Sequence, residues 1–224
     1  MKIIIIYLLL FILYIASGYA QTVLPITTTV YDFSKMKNGY YRIIGTDTTD
    51  FIKDTTFCII PVKNISVLFP FNAPTDGTLN DGKPLTVGVK FRASQPGYIL
   101  GIRYYRTKGN TGQHIGQLYS ATGTLLWSAP FTELSTDGWQ KVTFTTPIAI
   151  NANTTYVAAC YSPNGFYVST LGGFNNAIIN GPLTGLKNGT DGINGIYTYG
   201  SSPIFPTHGY QNSNYWIDII YSTN

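Results

Sequence analysis

The chain reads as an all-β protein, an antiparallel β-sandwich of jelly-roll type with long Gly/Asn-rich loops. Three observations point there. Apolar and polar residues alternate in short runs, which marks strands with one wet face. Turn signals built from Gly, Asn, Asp and Pro cut these runs at roughly 10–15-residue spacing. No long amphipathic helix interrupts them; Asp32-Phe-Ser-Lys-Met-Lys37 has room for one helical turn at most.

The elements follow in order. Leu85, Val87, Val89 and Phe91 alternate with Thr86, Gly88 and Lys90, so Leu85 to Phe91 is a strand. Tyr98 to Tyr105 is the next. Strict alternation puts Tyr98, Leu100, Ile102 and Tyr104 on one face and Arg103 on the other. Gly109-Asn-Thr-Gly112 is a tight loop. Ile115 to Tyr119 and Leu125 to Trp127 form a hairpin around Ala121-Thr-Gly123. Asp137-Gly138 turns the chain into Trp139 to Phe144. Thr154 to Tyr161 and Phe166 to Ser169 flank Pro163-Asn-Gly165, and Asn-Gly between apolar runs predicts a two-residue hairpin. Thr170 to Asn194, rich in Gly and Asn, reads as a long structured loop with a helical turn near Ala177. Tyr215 to Tyr221 is the last strand.

Before the sandwich, which is expected to occupy residues 66–224, stand two other segments. Met1-Lys2 and the apolar run Ile3 to Ile15 have the length of a signal-peptide core, shorter than a bilayer span requires. Gly18-Tyr-Ala20 supplies small residues at the cleavage positions. Residues 1–20 are thus expected to be a signal peptide cut after Ala20, leaving a secreted or extracytoplasmic chain without a membrane span; a cut after Gly18 and an uncleaved N-terminal anchor are the alternatives. Residues 21–65 differ in texture, with many Thr, Lys and Asp. They are either an N-terminal extension or extra edge strands.

Composition narrows the partners. Charged residues are 11% of the chain and the formal net charge is +4, with no basic run. A nucleic-acid binder needs clustered Lys and Arg, so that class is set aside. Aromatic residues reach 15%, with 18 Tyr. Tyr and Trp faces beside Asn and Thr suit a neutral ligand such as a glycan. The ring set comprises Tyr105, Tyr119, Trp127, Trp139, Tyr197, Tyr199 and Trp216. The exposed member of the group Tyr105, Tyr119 and Trp127 is the expected platform, and Asn110 and His114 are further candidate ligand contacts. Each ring has a competing role as core filling.

No catalytic constellation stands out. Glu133, Asp76 and Asp81 are the notable carboxylates, and their spacing does not single out a glycosidase pair. Arg103 and Asp218 lie within apolar strands and are expected to pair internally, because a lone buried charge is very costly. His114 and His208 are too few for a zinc site. Asp191 and Asn194 are candidate calcium ligands, although the acid count falls short of an EF-hand-like loop and a plain Gly-rich loop is the alternative. Cys58 and Cys160 form a disulfide in an oxidising compartment if they meet, and are otherwise buried thiols; closing a loop that long is worth about 4–5 kcal/mol on the chain-entropy model. Asn64-Ile-Ser66, Asn153-Thr-Thr155 and Asn188-Gly-Thr190 are glycosylation sequons, relevant in a eukaryotic host.

Several stretches carry a family resemblance. Gly101-Ile-Arg-Tyr-Tyr-Arg106, Gly109-Asn-Thr-Gly-Gln-His114, Gly138-Trp-Gln-Lys-Val142, Thr154-Thr-Tyr-Val157, Gly192-Ile-Asn-Gly-Ile-Tyr197 and Asn214-Tyr-Trp-Ile-Asp218 resemble the domain of unknown function 4082 family. The likeness runs from about Leu68 to the C-terminus and omits residues 21–65. It implies a secreted β-sandwich module of a kind often joined to adhesive repeats and carbohydrate-active domains, and it brings no activity. Tyr119 stands where the family usually has Trp, and Cys160-Tyr161 replaces a usual Tyr-His pair, so no role for that His carries over. The function expected is a non-catalytic binding or adhesion module at a cell surface or matrix, with glycan as the partner. A structural envelope or coat protein is the alternative, and a polysaccharide hydrolase the third reading.

Overall fold

The computed structural model describes residues 65–132, 135 and 137–223, and the backbone of four strands before them. Those four are β1 (Phe11–Ser17), β2 (Ala20–Pro25), β3 (Gly39–Thr46) and β4 (Ile52–Ile59), in one antiparallel sheet of order β2-β1-β3-β4. They belong to a first compact unit, Met1–Lys63; the second is Asn64–Asn224. The helical turn expected at Asp32–Lys37 and the carboxylate Glu133 lie outside the described residues. Among the described residues no helix is long and apolar enough to cross a membrane.

The second unit is all-β and sandwich-like. Its smaller sheet runs β11 (Gly138–Ile150), β8 (Gly97–Arg106), β18 (Ile217–Ser222) and β5 (Ile65–Ser66). Its larger sheet runs β10 (Leu125–Pro130), β9 (Ile115–Ser120), β12 (Tyr156–Ser162), β7 (Leu85–Ala93), β15 (Leu183–Gly185) and β14 (Ile178–Asn180). The free edge of β7 is shared. β16 (Ile196–Tyr199) pairs with its first half and β15 with its last residues, while β17 (His208–Gly209) pairs with β16. A short ribbon joins β6 (Thr78–Asn80) to β13 (Phe166–Val168).

Period-two patterning places the core. Leu85, Val87, Val89, Phe91 and Ala93 are all buried on the inner face of β7. Ile102, Tyr104, Ile217 and Ile219 face them from the smaller sheet. Each such side chain contributes about 1.5–3 kcal/mol when fully buried. In β8 the alternation breaks. Pairing shifts between Thr143 and Ile148 on one side and between Ile220 and Tyr221 on the other. Ile99, not Tyr98 or Leu100, is therefore the buried residue ahead of Ile102. A bulge inserts a residue and flips the faces before it, which strict alternation does not anticipate.

The larger sheet is also covered on its outer face. Tyr119, Val157, Ala159 and Ile196 form a second cluster under Phe205. Every residue of β12 is buried, so Tyr156-Val-Ala-Ala-Cys160 reads as a continuous apolar run. The covering loop comes close because residue 88 is Gly: a Cβ there would sit 2.9 Å from the Ala158 carbonyl and 3.2 Å from Pro206.

Two local expectations are corrected. The segments flanking Asn164-Gly165 do not form a hairpin. Both edges of β12 are occupied, by β7 and β9, so β13 pairs with β6 instead. Gly165 has φ +79°, whereas Asn164 keeps an ordinary φ. The helical turn near Ala177 is a β14–β15 hairpin. The hairpin of β9 and β10 forms as expected, with Gly123 at φ +91°.

Candidate functional site

The ring-rich surface of the second unit lies where the inner face of the larger sheet runs out. Tyr197 and Tyr199 are two apart on β16, opposite Val87 and Leu85, so both rings point to the inner face. Tyr197 is half-buried and Tyr199 is 39% exposed. Tyr215, just before β18, lies beneath them at 6% exposure. The Tyr167 ring of β13 meets Tyr215 edge-on at 5.7 Å, and Tyr197 meets Tyr199 at 5.5 Å, Tyr215 at 6.4 Å and His208 at 5.8 Å.

A carboxylate joins these rings. Asp81 follows β6 in a turn closed by Gly82 N–H donating to Asn80 Oδ1 at 2.8 Å. The Asp81 N–H donates to the Gly165 carbonyl at 3.1 Å, tying the turn to the start of β13. The Tyr167 hydroxyl donates to Asp81 Oδ1 at 3.1 Å and the Tyr199 hydroxyl to Asp81 Oδ2 at 2.5 Å. Lys83 Nζ stands 3.8 Å from the Tyr199 ring centroid. Asp81, Lys83 and His208 are exposed.

The electrostatics keep these phenols protonated. The hydrogen bond to Asp81, with some burial, pushes Tyr199 up to about 12. Burial and the Asp81 charge push Tyr167 up, and burial pushes Tyr215 up. At neutral pH the tyrosines are donors and flat faces, not bases. Each Asp81 oxygen accepts one phenol, and a carboxylate oxygen has a further lone pair.

The backbone beside this surface is strained. Among the described residues four non-glycine positions have φ in the left-handed region, and three of them are Gln211 (+46°), Asn212 (+53°) and Trp216 (+54°). For a bulky residue this is a genuine outlier, sustained only by its surroundings. Trp216 N–H donates to Asn214 Oδ1 at 2.9 Å, and its indole N–H donates to Thr170 Oγ1 at 3.0 Å. The Thr170 hydroxyl in turn donates to Asp76 Oδ2 at 2.7 Å. Tyr215 thus packs among the tyrosines while the Trp216 ring packs on Phe69, 5.1 Å away.

None of the three candidate platform rings is exposed. Tyr119 is 4% exposed and edge-on to Phe205 at 5.2 Å; burial pushes its phenol up to about 12. Trp127 is half-buried and stacks on Phe144 at 3.8 Å. Tyr105 is half-buried and edge-on to Trp139 at 5.4 Å. Each ring has a packing partner of its own, in separate places. Asn110 and His114 are also buried. His114 Nε2 bonds Asn110 Oδ1 at 2.8 Å, and Nδ1 bonds the Tyr104 hydroxyl at 3.0 Å. The ring also stacks on Tyr104 at 4.6 Å, so His114 ties its loop to β8.

The remaining candidates have structural partners. Arg103 and Asp218 pair at 2.7 Å, with the Asp218 side chain fully buried. Burial holds the Asp218 carboxyl above its usual range against the opposing pull of Arg103 and the Leu68 and Phe69 amides. Asp191 meets Arg92 at 3.2 Å; its carboxyl is held below the usual range by the Thr155 hydroxyl first and Arg92 second. Asn194 is buried, and its amide is used up. Oδ1 accepts from Lys90 N–H and Gly195 N–H, and Nδ2 donates to the Lys90 and Leu186 carbonyls. Among the described residues no group of three or more His, Cys, Asp or Glu is placed to hold a metal. Cys160 is buried on β12; the side chain of its candidate partner Cys58 lies outside the described residues.

Sequence reasoning noticed Tyr197, Tyr199 and Asp81 separately and missed their union with Tyr167 and Tyr215. The Tyr-x-Tyr spacing was the available signal, since it puts two rings on one face of a strand. No curated protein matches the chain. The family described as Domain of unknown function (DUF4082) matches residues 72–217, a span that holds all of the tyrosine surface and most of the sandwich-like unit, and the chain belongs to that family.

Proposed function

We propose that this protein is an exported, non-catalytic binding module that takes a neutral glycan on the surface formed by Tyr199, Tyr197, Asp81 and His208. The observation that carries the reading is Tyr199. The residue is 39% exposed, yet its hydroxyl is anchored on Asp81 at 2.5 Å. A fixed, solvent-facing ring beside an exposed carboxylate is what a sugar needs, an apolar face to stack on and acceptors for its hydroxyls.

The non-catalytic part rests on the same geometry. The phenols are too firmly protonated to serve as bases. Asp76, the other carboxylate of this stretch, is turned to Thr170, whereas glycoside hydrolysis calls for two carboxylates flanking one bond. The export part rests on the short apolar N-terminal run and the small residues before Gln21; a cut there would remove β1 and the first residue of β2. The same reading takes the sandwich as a jelly roll with Gly/Asn-rich loops. It is supported by the way the chain passes from β7 to β8 to β9 and from β10 to β11 to β12, changing sheet at each step.

A screen of the purified chain against plant, fungal and bacterial polysaccharides tests the reading. Binding should survive raised salt, because few ion pairs are at stake, and should be lost in Tyr199→Ala. A screen without a hit overturns it and favours a structural envelope or coat protein.

A further inference from the structure

We infer that Lys83 guards the tyrosine surface: its ammonium and the sugar compete for one face of Tyr199, and the side chain must swing away before a glycan can stack there. This rests on the glycan reading above. Lys83 Nζ stands 3.8 Å from the Tyr199 ring centroid. A sugar carbon stacked on the same face would need about 3.5–4.0 Å, so the two exclude each other. Lys83 is itself exposed. The face it covers is therefore one that solvent, and with it a ligand, can reach.

The backbone explains why the ammonium is there. Leu85 lies opposite Tyr199 in the pairing of β7 with β16. Gly200 N–H donates to the Pro84 carbonyl at 3.1 Å, next to Lys83. Gly165 packs against Lys83 from elsewhere: a Cβ at Gly165 would stand 2.9 Å from the Lys83 nitrogen and 2.7 Å from its carbonyl oxygen. The main chain of Lys83 is thus held fast. Its four-carbon stem is flexible, so the tip can hold the ring or leave it without disturbing the fold.

Charge makes the ring the resting place. A cation is drawn to the negative face of a tyrosine. Among the described residues the ion pairs are Arg92–Asp191 and Arg103–Asp218, and Lys83 is in neither. Asp81, two residues away, takes the Tyr167 and Tyr199 hydroxyls instead. A neutral sugar brings no charge to replace the contact that Lys83 loses. At an exposed site that contact is weak enough to yield and strong enough to lower affinity about two- to fivefold.

The test is calorimetric titration of the full chain with hexasaccharides of the cello, chito, xylo and manno series, beside proton NMR of Lys83. Lys83→Ala should bind the hexasaccharide that wild type selects about two- to fivefold more tightly. Lys83→Arg keeps a cation over the ring and should show no gain. Both variants should keep the wild-type melting temperature. In the free protein the Tyr199 ring should shift the Lys83 ε-methylene protons upfield, and saturation with the hexasaccharide should remove that shift. Equal or weaker binding by Lys83→Ala, a gain in Lys83→Arg, or an upfield shift that persists in the complex overturns the Lys83 inference and leaves the glycan reading standing. No binding by wild type or by Lys83→Ala in any series overturns both.

Discussion

The second unit contains two clusters built from the same parts, a carboxylate, a cation and several aromatic rings. Around Asp218 everything is closed. Its Oδ1 accepts from Leu68 N–H and Ile219 N–H, both at 2.7 Å, and its Oδ2 accepts from Phe69 N–H and from Arg103. Trp139 lies 4.1 Å over the Arg103 guanidinium, and Phe69 stacks on Trp139. Around Asp81 the carboxylate and Lys83 are exposed, and among the described residues two phenols donate to it. The difference teaches that residue type alone does not decide whether such a cluster is closed or open to solvent. The closed cluster uses its carboxylate to pin the Leu68–Phe69 segment across the smaller sheet. The open cluster leaves its carboxylate exposed beside the Tyr199 ring, over which Lys83 stands at 3.8 Å.

The largest break should come from the closed side. Arg103→Met leaves Asp218 buried without its cation, which costs about 3–5 kcal/mol. Urea unfolding measures it, and a loss within experimental error would mean that the backbone donors alone sustain the charge. Gly165→Val comes next. A Cβ there would stand 2.7 Å from the Lys83 carbonyl, at a φ of +79° that a β-branched residue resists. The variant should lose about 1–3 kcal/mol and with it the Asp81 turn, so glycan binding should fall together with stability. An unchanged melting temperature would contradict this account of the turn.

The smallest effect sharpens the open side. Asp81→Asn should change stability by less than about 1 kcal/mol, since the group is exposed. It should nonetheless move the Tyr199 phenol from about 12 toward the ordinary value, read by ultraviolet titration. The sign for the wild type is fixed by the raised phenols. A folded-state pKa above the unfolded one gives stability that is complete below about pH 10 and is lost as pH rises toward 12. Unfolding midpoints that rise over that interval would contradict the assignment.

Much of the fold was legible because it is local. The alternation of Leu85 to Phe91 predicts the core face of β7, and Asp218 within an apolar strand predicts its partner. The hairpin at Ala121–Gly123 needed only its own turn residues. What was not legible depends on neighbours far along the chain. Asn164-Gly165 has the composition of a hairpin turn, yet β12 had no free edge to offer. Tyr119 looks like an outward ring until Phe205 is laid over it. The tyrosine surface draws on β6, β13, β16 and the approach to β18, so no short window of sequence contains it. Membership of the DUF4082 family, over residues 72–217, extends the question of that surface to its relatives.

The central claim is that the open cluster recognises and the closed one supports. Tyr199→Ala tests it most directly, by calorimetric titration with the polysaccharide that wild type selects in the screen and by thermal unfolding of the same sample. The account predicts that binding is lost while the melting temperature stays at the wild-type value, because an exposed ring adds little to the core. Undiminished binding in Tyr199→Ala would contradict it.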